Sequence, residues 1–289
     1  MNTKTFLSKF PTFSKRWAQY QKEIAPLSLG WTVMSDYCLD NPQKYDCITF
    51  TISPILGQIE PVANFFNRKL PRDIKQIRRF SQEECEFLRR APFFSLVFLI
   101  NDKKRFFNIE LFKEDIHQLQ KSSLIPKEFC QRLRKFELTL KSKCQPIKTL
   151  QNLSLVSFIF GKIVEFLCVK HYTEEIHWFP DRDNIMQIGN GIIKEISNIQ
   201  CTNSIAGRVK YPKIRIGGEN PKTHQFLFEP YTRYPDIITG IFSSIDFEAQ
   251  LADKEKHIQG LKEIVIDNPH IVVFSFTPDK ISCMNLRTK

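Results

Sequence analysis

Acidic residues lie beside three strand-like segments that are far apart in the chain. Asp36 ends the segment GWTVMSD, Asp181 and Asp183 follow EEIHWFP, and Asp236 lies in YPDIITG beside a third strand region. The ends of neighbouring strands can meet at one edge of a sheet, and carboxylates that meet repel each other unless a cation lies among them. Mg²⁺ prefers oxygen ligands, and Mn²⁺ accepts the same set. The sequence therefore predicts a divalent-metal site formed by Asp36, Asp181 or Asp183, and Asp236.

Each of these acids also has a purely local explanation. Asp36 fits a turn in which it bonds its own backbone. Asp181 or Asp183 fits the cap of a following helix, and Asp236 fits the first turn of a helix that Pro235 would open. The metal hypothesis is favoured only because all of these positions occur together.

A basic stretch between the first and second of these segments is a candidate for phosphate binding. Neutralising phosphates with Lys and Arg releases counterions and drives association with nucleic acid. A solvated helix face explains the same charges about as well. The residues that we expect to contact nucleic acid are Arg72, Lys75, Arg78 and Arg79.

Composition favours a cytoplasmic protein with a polyanionic partner, such as nucleic acid or an acidic membrane surface, although a merely basic protein explains the charge about as well. The 289 residues carry a net charge of +11, which favours polyanions, and 42% of them are hydrophobic, which excludes a disordered chain. The eight cysteines form no CxxC pair, so we expect free thiols and no zinc ribbon. The N-terminus resembles no secretory signal. Lys162 and Glu165 interrupt the apolar segment 150–170, which favours a buried helix over a membrane span.

The elements that must position the acids indicate an α/β fold with a mixed sheet flanked by helices. We expect a helical lead-in at 1–28 and one domain at 29–289, with a helical, basic insertion at about 101–150. Between 101 and 150, twelve Lys or Arg stand against six Asp or Glu. The predicted elements are a hairpin of 30–36 and 46–53, a helix opened by a Ser81/Glu84 capping box, strands at 93–100 and 106–111, a helix at 147–171, a strand at 174–179, a helix to about 197, strands around Gly217-Gly218, a helix from 235, a helix at 253–265 and a strand at 270–276.

This order of elements resembles the RNase H-like fold over about residues 30–250. It is similar, more specifically, to an uncharacterised bacterial family of that fold. In that family the first strand ends in an Asp-Glu-Ser-Gly turn, and the last motif reads roughly Ala-Asp-hydrophobic-hydrophobic-Ala-Gly. The resemblance implies a metal site in which Asp36 is the first-strand acid, Asp181 or Asp183 the second, and Asp236 the third. Lys75 would be the basic residue that members often carry after the second strand.

The chain departs from the family pattern at two of these motifs. Tyr37 stands where the family has Glu, and Pro235 stands where it has Ala. The resemblance implies a metal-dependent nuclease. The alternatives are a non-catalytic module that keeps the fold and binds nucleic acid or protein, and an interaction protein whose 26 phenylalanines form an oligomer interface.

Overall fold

The computed structural model describes most of the chain outside the predicted insertion. Asp183, Arg72 and the strand predicted at 106–111 lie outside the described residues, as does most of 101–146. The described residues are 4–39, 45–55, 57–71, 74–101, 117, 128, 130–132, 134–135, 147–181, 191–217, 229–246, 251–252, 254–277, 279–284 and 286–287.

One mixed sheet of seven strands organises the structure, in the order β5-β4-β1-β2-β3-β8-β9. The pairs β1–β2, β2–β3 and β8–β9 are antiparallel, whereas β1–β4, β4–β5 and β3–β8 are parallel. A separate two-stranded ribbon joins β6 to β7. The strands are β1 (Gly30–Cys38), β2 (Asp46–Pro54), β3 (Phe94–Ile100), β4 (Glu175–Pro180), β5 (Lys213–Ile216), β6 (Ile245–Asp246), β7 (Leu251–Ala252), β8 (Ile271–Phe276) and β9 (Ile281–Met284).

Helices pack on both faces of the sheet, so the predicted α/β class with a flanked mixed sheet is confirmed. One core cluster joins the sheet to α1, α4 and α5, and a second joins the opposite face to α2, α3, α6 and α7. The helices are α1 (Pro11–Ile24), α2 (Ile59–Lys69), α3 (Gln82–Arg90), α4 (Ile147–Lys170), α5 (Ile193–Ile205), α6 (Glu229–Ser243) and α7 (Glu255–Gly260), which continues into a π-helical turn at Leu261–Val265.

Coverage of both faces explains the apolar composition of the central strands. All seven residues of β3 are buried, so the run FSLVFLI forms the central strand that the sequence predicts. Side chains alternate between faces, so Trp31, Val33 and Tyr37 of β1 enter the cluster of α1 and α4, while Met34 enters that of α6. Asp36 therefore points towards α6.

Several predicted boundaries agree with the structure, and others differ. The capping box is present: Ser81 Oγ accepts from the Glu84 amide, and Glu84 accepts from the Ser81 amide. The helix predicted to end near 197 runs to Ile205, because Cys201 and Ile205 are buried and continue its apolar face. Of the strands predicted around Gly217-Gly218, Lys213–Ile216 is present and the turn lies outside the described residues.

Helix α1 is part of the core. Phe13, Trp17 and Tyr20 are buried at spacings of four and three, the period of one helix face. The Trp17 ring lies 5.3 Å from that of Trp31 and 5.4 Å from that of Phe166, so α1 contacts both the sheet and α4. The helical lead-in thus closes one layer of the structure.

Helix α4 is the most apolar element. In the described part of the chain, Gln151–Lys170 is the one segment with the length and composition to cross a membrane, and 78% of its most apolar window is buried inside the protein. Its Glu165 is buried and forms ion pairs with Lys162 and with Arg208, which follows α5. These pairs place both cations against the one carboxylate that the helix buries.

The contact between α1 and His171 makes stability depend on pH. Trp17 Nε1 donates to His171 Nε2 at 2.7 Å, and the Gln21 amide lies 2.8 Å from Nδ1. Burial, followed by the positive charge of Lys170, lowers the His171 pKa to about 4. Between pH 6.5 and 4 the unfolded chain therefore binds the proton more tightly than the folded protein. We expect the free energy of unfolding to fall by about 1–2 kcal/mol from pH 7 to pH 4.5, after allowing for solvent screening.

Urea unfolding at both pH values measures this effect, and His171→Gln is the control because glutamine does not titrate. The variant should lose less stability on acidification than the wild type. An equal loss in both proteins would contradict the assignment to His171.

Candidate functional site

Asp36 lies inside β1, two residues before its end. It pairs with Thr49 of β2, and the ladder continues through Cys38, which pairs with Cys47. The prediction that Asp36 ends its strand was therefore wrong by two residues, because the pairing with β2 extends further. The turn explanation is also wrong, since Asp36 is within the sheet. Its side chain is 7% exposed.

Asp181 follows β4 directly and lies beside Asp36. Pro180 pairs with Ser35 in the parallel β1–β4 ladder, and the Asp181 amide donates to the Ser35 carbonyl at 2.8 Å. Ile176 and Trp178 of β4 point into the cluster of α1 and α4. Two-residue alternation then directs Asp181 to the face that Asp36 occupies.

Asp236 lies in the middle of α6, which begins at Glu229. The prediction that Pro235 opens this helix was wrong, and so was the capping explanation for Asp236. The helix passes through Pro235, despite the missing N–H, because Tyr231, Tyr234 and Ile238 bury one continuous face. Asp236 instead accepts a hydrogen bond from the amide of Ile74, with 3.3 Å between Oδ2 and N.

The structure brings Asp36, Asp181 and Asp236 together. Burial raises the pKa of the Asp36 carboxyl well above its usual range, and the negative charges of Asp236 and then Asp181 raise it further. A hydrogen bond from Thr239 opposes this rise in pKa, whereas a hydrogen bond with the Asp181 side chain adds to it.

As placed, no group of three or more His, Cys, Asp or Glu side chains among the described residues could hold a metal ion. The donor chemistry nevertheless suits a hard cation, since the three groups offer only carboxylate oxygens. A divalent cation bound there would offset the mutual repulsion of the three carboxylates.

Tyr37 occupies the opposite face of the sheet from Asp36. Its hydroxyl lies 2.6 Å from Ser35 Oγ, which also accepts a hydrogen bond from Trp178 Nε1 at 2.8 Å. Its ring contacts Phe50 in the core, with 6.5 Å between centroids. Tyr37 is therefore a packing residue, and its side chain is directed away from the three aspartates.

A 3₁₀ turn at Ile74–Gln76 borders the carboxyl groups and carries Lys75. Burial raises the pKa of the Cys38 thiol, while the positive charge of Lys75 lowers it, which places Lys75 near the end of β1. Lys75, Arg78 and Arg79 are exposed. These three cations lie on the segment that contacts Asp236.

Three other cations of the basic stretch, Lys69, Arg89 and Arg90, form bonds within the protein. Lys69 pairs with Glu83 at 2.9 Å, and Arg90 pairs with Glu86. Arg89 donates to the carbonyls of Glu263 and Ile266, joining α3 to the end of α7. These arginines and lysines thus fit the structural explanation of the charge run, whereas Lys75, Arg78 and Arg79 face solvent.

Sequence reasoning did not identify Thr239 or Gly240 as parts of the site. Thr239 donates to the Asp36 carbonyl at 3.5 Å, and it lies three residues after Asp236, on the same helix face. In a segment that is helical throughout, this spacing predicts that Thr239 lies beside Asp236. Gly240, the last residue of PDIITG, is where the Ile74 side chain packs on α6.

No family model matches the chain, and neither does any curated protein or solved structure. The assignment of function therefore rests on the geometry of the site.

Gly240→Ala tests the packing that holds the turn against α6. A Cβ at Gly240 would lie 2.7 Å from Ile74 Cδ1 and 2.8 Å from Cγ2, so the buried Ile74 side chain, or the turn that carries it, must shift. We expect a net loss of about 1–2 kcal/mol in the free energy of unfolding. This loss includes a gain of up to about 1 kcal/mol from helix propensity.

Chemical denaturation of both proteins gives the difference. The matched background is Ile74→Ala, which removes the clashing atoms, so Gly240→Ala should cost less there. If the cost is the same with and without the Ile74 side chain, the contact does not determine it.

Proposed function

We propose that the chain is a divalent-metal-dependent nuclease of RNase H-like type. One observation carries the proposal: aspartates from three distant segments meet on one face of the sheet, where Asp36 is buried beside the charges of Asp236 and Asp181. Like charges are not brought together without a compensating group. Perturbed titratable groups of this kind mark functional sites more often than chance.

The strand arrangement supports the fold part of the proposal. Strands β1, β2 and β3 form an antiparallel meander, and β4 and β5 add in parallel on the other side of β1. This order supports the resemblance to the RNase H-like fold, and β8 and β9 extend the sheet beside β3. Asp36 lies on β1 and Asp181 directly follows β4, and these two strands are neighbours in the sheet.

Asp36, Asp181 and Asp236 would hold Mg²⁺ or Mn²⁺. When bound, such an ion lowers the pKa of its water and neutralises charge on a phosphodiester. The residues of the chain do the positioning. The Asp181 amide ties that carboxylate to β1, Thr239 ties α6 to the Asp36 carbonyl, and the Ile74 amide orients Asp236.

Phosphates of the substrate would contact the turn next to the carboxylates. Lys75 lies near the end of β1, and Arg78 and Arg79 are exposed a few residues further along. A net charge of +11 favours association with nucleic acid at distance as well as at contact. This supports a polynucleotide in preference to a small phosphate ester.

The second candidate is a non-catalytic module that binds nucleic acid or protein through the same surface. Tyr37 favours it, because the chain lacks the family's Glu at that position and uses the residue for core packing. Such a module would keep the basic turn and lose the response to metal. The two candidates therefore differ in their dependence on a divalent ion.

Titration with Mn²⁺ tests the metal site. We expect the wild-type melting temperature to rise with Mn²⁺, since an ion that binds only the folded state stabilises it. Asp36→Asn should abolish the rise. Glu174→Gln is the matched control, because it removes an exposed carboxylate at the opposite end of β4. Cleavage of labelled single-stranded and double-stranded DNA and RNA, with and without EDTA, gives the activity.

The melting temperature of metal-free Asp36→Asn shows whether the substitution itself damages the fold. The raised pKa of Asp36 means that its ionisation destabilises the folded state as pH rises above about 4. The metal-free variant should therefore unfold at a higher temperature than the metal-free wild type at neutral pH. Mn²⁺ stabilisation that persists in Asp36→Asn would remove the nuclease proposal, and salt-dependent nucleic-acid binding without a metal effect would favour the binding module.

The basic turn has its own test. Each phosphate contact contributes about one unit to the slope of log affinity against log salt concentration. We expect Lys75→Ala to weaken binding uniformly across sequences and to lower that slope by about one, with a larger fall for the Lys75, Arg78 and Arg79 triple variant. Lys22→Ala, an exposed lysine on α1 at the opposite face of the sheet, controls for net charge. An equal effect of Lys22→Ala would show that the turn is not the contact surface.

A further inference from the structure

Lys256 is a buried lysine on α7 that contacts the same turn. It is 3% exposed, and its Nζ donates to the carbonyl oxygen of Ile74. Burying an ammonium group is costly unless hydrogen bonds compensate for the lost water. A lysine kept in this place therefore needs a reason beyond packing.

Ile74 is held from three sides. Its amide donates to Asp236 of α6, its carbonyl accepts from Lys256 of α7, and its side chain packs against Gly240 of α6. The preceding part of the segment is held in the same manner, since buried Arg233 of α6 donates to the Leu70 carbonyl at 3.5 Å. Two buried cations thus bond to the segment that follows α2: Arg233 at the Leu70 carbonyl and Lys256 at the Ile74 carbonyl.

We propose that Lys256 is a positioning residue of the metal site. By fixing the Ile74 carbonyl, it orients the Ile74 amide towards the Asp236 carboxylate. It also sets the direction in which the Lys75 side chain extends from the turn. The inference rests on the proposed function and adds to it a residue from a helix that contributes no carboxylate to the site.

Three variants separate this role from simple packing. Lys256→Met keeps the length of the side chain and removes the donor, Lys256→Arg keeps a donor and the charge, and Lys262→Met changes an exposed lysine of the adjoining π-helical turn. Hydrogen exchange at the Ile74 amide reports on the turn itself, with or without metal. Mn²⁺ affinity from thermal shifts reports on the site.

We expect Lys256→Met to lower protection of the Ile74 amide by tenfold or more and to weaken Mn²⁺ binding by a similar factor. Lys256→Arg should retain part of the amide protection and part of the Mn²⁺ affinity. Lys262→Met should have the wild-type value of each. If Lys256→Met does not fold, Lys256→Gln, which is shorter and uncharged, takes its place and should show the same two losses to a smaller extent than expected for Lys256→Met, but larger than those of Lys256→Arg.

The outcomes distinguish this inference from the proposed function. A wild-type protein that binds no Mn²⁺ would overturn the nuclease proposal and, with it, a metal-site role for Lys256. Wild-type binding with unchanged Mn²⁺ affinity in Lys256→Met would overturn the role of Lys256 alone. Unchanged protection at the Ile74 amide would show that Lys256 does not fix the turn, whatever the metal result.

Discussion

The parallel pairing of β1 with β4 is the interaction on which the site depends. It sets Ser35 opposite Pro180, and the next amide, that of Asp181, still bonds to the Ser35 carbonyl. A shift of one residue in this register would turn Asp181 to the opposite face. The two carboxylates would then be separated by the sheet, and no arrangement of α6 could bring them back together.

Helix α6 converts this pair of carboxylates into a buried site. It lies over β1 and β2, and Asp236, Thr239 and Gly240 share the face that points towards the sheet. Burial next to other acids raises the pKa of Asp36 and makes its ionisation unfavourable in the folded state. The two large apolar clusters, one on each side of the sheet, stabilise the fold and offset this unfavourable free energy. Functional sites often contain groups whose native state is locally unfavourable in this way.

The positively charged groups of this region have two different roles that follow from burial. Lys256 and Arg233 are buried and bond to main-chain carbonyls, so they fix the segment that ends in the Ile74–Gln76 turn. Lys75, Arg78 and Arg79 are exposed on or next to this turn. Cations of the first kind shape the surface, and cations of the second kind give it charge.

Local patterns in the sequence determined the elements that depend on neighbouring residues. The apolar run of β3, the Ser81 capping box and the strand before Asp181 all rest on composition, spacing or capping within a few residues, and the structure contains each of them. The three aspartates were singled out for the same reason, because each lies in or beside a strand-like or helix-like segment. Local patterns also gave wrong boundaries: Pro235 indicated a helix start, although tertiary burial of Tyr231 and Tyr234 carries the helix through it.

Only the tertiary structure decided which side chains meet. The face of the sheet that Tyr37 occupies, the contact of Ile74 with Gly240 and the burial of Lys256 depend on register and on helix placement between segments up to about two hundred residues apart. A lysine in the sequence carries no mark that distinguishes a buried donor from a solvated charge. The sequence therefore determined the residue types that chemistry requires, and long-range packing, whose energy is shared among many distant contacts, determined their arrangement.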